Sequence, residues 1–150
     1  MTAADLQASR ERREAVVRAH WEAENRQDTE GIVASFSSTR ASYDIPAFGP
    51  DGDRPDADAV RDLWEGFLAA FPDFRVDPGP MLHGDNHIFV EVRCTGTQAA
   101  EFAGIPPTGR SFDLQRVANL FEFEGDELVR ERVYLDVAEM ARQLAPPESG

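Results

Sequence analysis

The sequence contains no lysine: its 15 basic side chains are all arginines, set against 28 acidic ones for a net charge of −13. That balance excludes binding to nucleic acid through its phosphates, which needs clustered cations. It equally disfavours an anionic membrane surface, and its simplest consequence is solubility. A single cysteine, Cys94, rules out an internal disulfide and fits a reducing compartment. It sits in the strand-like run 87–97 and reads as a core thiol. No stretch approaches the roughly 20 apolar residues of a membrane-spanning helix. Residues 1–17 lack the apolar run of a secretion signal, so the expected location is cytoplasmic.

Other absences bear on chemistry. No Gly-x-Gly-x-x-Gly opens a helix and no serine sits in a nucleophile elbow. His83 and His87 are four apart, but a turn lies between them, so the helical metal-ligand spacing fails. Neither a metal nor an organic cofactor is expected.

What is present is one domain, 1–150, with residues 1–10 and 145–150 expected to be flexible. Apolar spacing predicts helices over 4–26, 29–36, 57–71 and 137–144. Val60, Leu63, Trp64, Phe67, Leu68 and Phe71 make the clearest stripe. Strands are expected over 40–45, 74–77, 81–83, 87–97, 112–123 and 128–135, the last two forming a hairpin around Gly125. Helices segregated from long antiparallel strands indicate an α+β fold. The economical packing is a strongly curved sheet wrapped around about three helices, a cone-shaped barrel with an internal pocket.

The hairpin delivers one carboxylate, Asp136, to the point where strand gives way to helix. Such an Asp reads as a helix N-cap or as a functional acid, and local sequence does not separate the two. Strict alternation puts Gln115, Val117 and Asn119 on one strand face, with Asp113 on the same side. Buried Gln and Asn need partners, either a ligand carbonyl or the protein itself. The outer face of the curved sheet is expected to bear Phe121, Phe123 or their alternates, too apolar for solvent if exposed together, and a homodimer through that face is expected.

Four segments carry a resemblance: VVRAHWEAENRQD, AVRDLWEGFLAAFPDF, VEVRCTGTQAAEFAGIPPTGRSF and FEFEGDELVRERVYLDVAEMARQL. Together they resemble the SnoaL-like polyketide cyclases. These belong to the superfamily whose cone-shaped α+β fold is shared with nuclear transport factor, ketosteroid isomerase and limonene-epoxide hydrolase. The resemblance implies a cofactor-independent cyclase, with Asp136 as acid and base for an intramolecular aldol closure. A methylene between two carbonyls is acidic enough for one carboxylate to remove its proton and return it to the alkoxide.

The resemblance also implies a small hydrophobic, aromatic, polyketide-like substrate. Trp21 stands where similar proteins place a pocket aromatic, and Tyr43 lies on the first strand; either stacks on a flat substrate or serves as core. Tyr134, in the closing V-Y-x-D pattern, and Gln98, Gln115 and Asn119 complete the expected substrate-binding set. Two departures stand out. Gln98 and the pair Glu131–Arg132 occupy places where many relatives carry histidine. An epoxide hydrolase or dehydratase of the same fold is the nearest alternative, although Arg116 is followed two residues later by Ala118 rather than a second carboxylate. A non-catalytic small-ligand-binding or dimerisation module is the other.

Overall fold

Thr2 starts the first helix. Its hydroxyl accepts the Asp5 N–H at 3.1 Å and its own N–H donates to the Asp5 carboxylate at 2.9 Å, a reciprocal capping box. In the computed structural model, which describes residues 1–148, helix α1 therefore runs Ala3–Asn25. Arg13 ties it to the sheet, donating to the carbonyls of Gly125 and Asp85. Asp28 caps α2 (Thr29–Ala34) and Asp56 caps α3 (Ala57–Ala70), each accepting an N–H three residues on. Between them lie β1 (Ser42–Asp44), a 3-10 stretch over Pro46–Gly52, and β2 (Asp53–Arg54).

The strands β3 (Arg75–His83), β4 (His87–Thr97), β5 (Ser111–Glu124) and β6 (Glu127–Tyr134) follow, then α4 (Val137–Leu144). Strand β3 continues through Pro78–Gly79–Pro80, where the sequence predicts a break. It is an edge strand, and its register shifts between Pro78 and Met81. An edge bulge is where a missing N–H costs least.

The sheet order is β2-β1-β6-β5-β4-β3. All pairs are antiparallel except β1 with β6. The fold is the expected α+β arrangement with a bent sheet over helices. Among the described residues the sheet stays open, because β2 and β3 are its unpaired edges, and four α-helices accompany it.

One irregularity decides which side chains face the helices. The β4–β5 register passes from Val92↔Val117 to Cys94↔Leu114, so Arg93 opposes both Gln115 and Arg116. This bulge changes the phase of β5. Phe112 and Leu114 point inward before it, and Val117, Asn119, Phe121 and Phe123 point inward after it. Gln115 is turned outward and donates to Asp113. Strict alternation through 113–119 is thereby corrected.

So is the expected outer face. Phe121 and Phe123 are 0% and 2% exposed. The apolar residues outside are Leu82, Phe89 and Tyr134, at 60%, 38% and 47% exposure. Leu82 pairs with Phe89 and Phe89 with Leu120, forming a row across three strands. No described helix is long and apolar enough to cross a membrane.

Candidate active site

Between the sheet and α3 lies a small cavity of about 80 Å³. Its walls are apolar, with rings, among them Tyr43, Trp64, Phe67, Phe74 and Phe112, set beside aliphatic side chains. Its polar residues are few: Glu24, Asn119 and Glu131 join the Tyr43 phenol.

Two of these come from elements whose buried face would ordinarily be apolar. On α1 the inward face reads Val17, His20, Trp21, Ala23 and Glu24, which places His20 and Glu24 one turn apart on one side. On β6 the inward phase reads Val129, Glu131, Val133. The three polar side chains meet: His20 Nε2 stands 2.8 Å from Glu24 Oε1 and 2.7 Å from Glu131 Oε2. They are 0%, 3% and 0% exposed. Asn119 Nδ2 donates to the other oxygen, Glu131 Oε1, at 3.1 Å.

The tautomer of His20 follows from its other nitrogen. Ser35 Oγ gives its only hydrogen to the Ile32 carbonyl at 2.6 Å, so at 2.7 Å from His20 Nδ1 it can only accept. Nδ1 therefore carries a hydrogen, and Nε2 faces the carboxylates. Although both carboxylate contacts are short, the Nε2 direction satisfies neither oxygen, and Glu131 Oε2 has no other donor. Three acceptor positions thus converge on one point, and at least one shared proton must hold them together. Unpaired buried charges would cost several kcal/mol each.

The electrostatics agree. Burial by itself depresses the His20 imidazolium, but Glu131 and then Glu24 overcome it and hold its pKa up at about 10. Burial raises Glu24 to about 7, with His20 pulling down and Glu131 pushing up. Glu24 thus exchanges its proton near neutrality, where a general acid–base is most effective. Burial, reinforced by Glu131 and Glu24, holds the Tyr43 phenol well above its ordinary value, so it stays neutral. The Cys94 thiol is raised in the same way. The same three residues offer one ligand atom each within 4.8 Å of one another, so a cation is the chemical alternative to the shared proton.

The expected site residues divide. Tyr43 and Asn119 line the cavity. Trp21 is buried edge-on against Phe121 and faces a separate surface groove beside Pro78–Gly79–Pro80. Gln98 is buried, but its amide donates to the carbonyls of Ala100 and Ile105, fixing the 101–109 loop. Gln115 and Tyr134 lie on the outer side of the sheet. Asp136 is exposed and caps α4, accepting the Glu139 N–H at 2.9 Å.

His20 and Glu24 are the residues that sequence reasoning passed over, and Glu131 entered it only as a departure from the family pattern. The signal was present: a His and a Glu four apart within an apolar helical stripe, and a lone Glu on the inward phase of Val-x-Glu-x-Val. Groups so placed are buried, and buried charges require each other.

An open, bent sheet packed over helices around a cavity is the architecture of the cone-fold α+β domains. The SnoaL-like domain profile matches residues 17–131, and the chain belongs to that family. No curated protein is similar enough in sequence to match it. Among solved structures, a phenazine biosynthesis-related protein from Pseudomonas aeruginosa superposes with a TM-score of 0.79 at 19% identity, covering 99% of this chain and 95% of its own. A protein assigned as a SnoaL-like polyketide cyclase from Jannaschia sp. CCS1 gives 0.78 at 16% identity, covering 91% and 94%. A protein with a ketosteroid isomerase-like fold from Catenulispora acidiphila, solved in complex with trimethylamine, gives 0.71 at 17% identity, covering 88% and 93%. At these identities the likeness is one of fold.

Proposed function

We propose that the protein is a cofactor-independent acid–base enzyme of the cyclase and isomerase type, acting on a hydrophobic carbonyl compound. In this reading the proton moves through the Glu24–His20–Glu131 cluster rather than through Asp136. The observation that carries it is the convergence of two buried carboxylates and an imidazole on one point, with both carboxylates lining an apolar cavity. Glu24 accepts a proton from the carbon beside the substrate carbonyl. The resulting enolate either attacks an internal carbonyl or is reprotonated at a new carbon, and Glu24 returns the proton. His20 and Glu131 hold the compensating charge, and neutral Tyr43 is available as a hydrogen-bond donor to the enolate oxygen.

Deuterium exchange at the activated methylene of benzoylacetone, followed by NMR in D2O, tests this without the natural substrate. The native protein should accelerate exchange over buffer. Glu24→Gln and Glu131→Gln should each lose roughly two to four orders of magnitude of that acceleration, and Asp136→Ala should keep it. Loss in Asp136→Ala with retention in both glutamine variants would move the chemistry back to the strand end.

A further inference from the structure

The cavity is lined by groups of two kinds. Tyr43, Trp64, Phe67 and Phe74 present rings, while Glu24 and Glu131 present carboxylates. No arginine lines the cavity among the described residues. An anionic ligand would meet two buried carboxylates with no cation beyond the His20 they already share. Beyond the His20 Nε2 that it shares with Glu24, Glu131 Oε2 is buried without a hydrogen-bond donor. With Glu24 ionised, two buried carboxylates converge on the single His20 imidazole, which leaves room in the cluster for a further cation. Ring faces and a buried carboxylate together favour an organic cation, because each ring quadrupole attracts positive charge and alkyl groups on nitrogen pack like hydrocarbon.

We propose that the cavity takes an organic monocation, a protonated or fully alkylated amine carried on an apolar body. Its charge lies toward Glu24 and Glu131, and its alkyl groups lie against the rings of Tyr43 and Trp64. The inference extends the proton-transfer reading to a substrate class, an amine-bearing carbonyl compound, and rests on that reading for this step only. The charge would assist the chemistry, since an ammonium near the carbonyl stabilises the enolate.

Binding should follow pH. The groups set around Glu24 are His20 on its own helix, Glu131 on β6, Tyr43 on β1 and Cys94 on β4. Tyr43 and Cys94 stay neutral and His20 stays charged across neutrality. The proton on Glu24 is then the one that a cation displaces, so affinity rises with pH through about 7.

The test is an NMR titration of the intact protein with choline and with 3,3-dimethylbutan-1-ol, its uncharged isostere, following the Trp64 indole N–H. Choline should bind about ten-fold more tightly near pH 8, a preference of the size that cation–ring attraction provides. The preference should shrink near pH 6 and be lost in Glu24→Gln and Glu131→Gln. Equal binding of the two probes, binding of neither, or an unchanged preference in both variants overturns the proposal. If the variants do not fold, the pH response of the native protein decides. Choline selectivity without deuterium exchange leaves this inference standing and removes the proton-transfer reading; exchange without selectivity does the reverse.

Discussion

Ser35 accepts the Nδ1–H of His20 across 2.7 Å, its own hydrogen being given to the Ile32 carbonyl. A partly exposed serine at the end of α2 thereby sets the tautomer of a fully buried histidine on α1. It determines that Nε2, not Nδ1, meets Glu24 and Glu131. Partners that fix the far nitrogen of an imidazole commonly govern what the near one can do.

Removing that hydroxyl is the first prediction. Ser35→Ala should leave the fold intact but free the imidazole to change tautomer, lowering exchange roughly ten-fold and displacing the pH–rate profile. The 15N chemical shifts of His20 should move toward a tautomer mixture. Ser35→Thr, which keeps the hydroxyl, should restore both. A purely structural serine would change stability without touching the pH profile.

Stability should fall as pH rises. Glu24 has its pKa raised to about 7 and His20 to about 10, so between pH 4.5 and 10 the folded state binds more protons than the unfolded one. The stabilisation from each is complete below its unfolded pKa and lost as pH passes its folded value. Thermal melts should therefore give a higher Tm near pH 6 than near pH 9. Glu24→Gln should flatten the lower part of that slope, and an unchanged slope would dismiss Glu24 as its source.

Asp136 is a cap. Asp136→Ala should cost about 1 kcal/mol of stability, read from denaturant midpoints, as the Glu139 N–H loses its acceptor. A loss below a few tenths would mean that the first turn of α4 is held by its packing alone.

A chelator should leave turnover unchanged, because a shared proton suffices to hold His20, Glu24 and Glu131 together. Elemental analysis before and after dialysis against EDTA checks this. Activity lost with a stoichiometric metal and recovered on its return would assign the cluster to a cation instead.

The outer row of Leu82, Phe89 and Leu120, with Tyr134 beside it, is the surface through which a homodimer should form. Sedimentation should give twice the 16.6 kDa chain mass, and Phe89→Glu should return the monomer. A native protein that sediments as a monomer at micromolar concentration would rule the interface out.

The sequence by itself determined the local elements, because their causes are local. Asp28, Asp56 and Asp136 cap helices wherever the chain beyond them is placed, and the Val60–Phe71 stripe makes α3 amphipathic without reference to the sheet. The hairpin around Gly125 and the α+β class follow from the same short-range physics. What only the tertiary structure decided was orientation and company. One bulge opposite Arg93 reversed the phase of β5, leaving Gln115 outward with Asp113 while Val117 and Asn119 turn inward, and alternation cannot register a residue that a partner strand fails to match.

The buried His20–Glu24–Glu131 cluster is the sharper case. His20 and Glu24 share a helix turn, but Glu131 reaches them from β6 only because the sheet bends over α1. A pKa near neutrality for Glu24 belongs to no residue in isolation. It arises from burial, which raises it, from the shared His20, which lowers it, and from the Glu131 carboxylate, which raises it again. Burial and proximity are properties of the fold, so the chemistry had to wait for it.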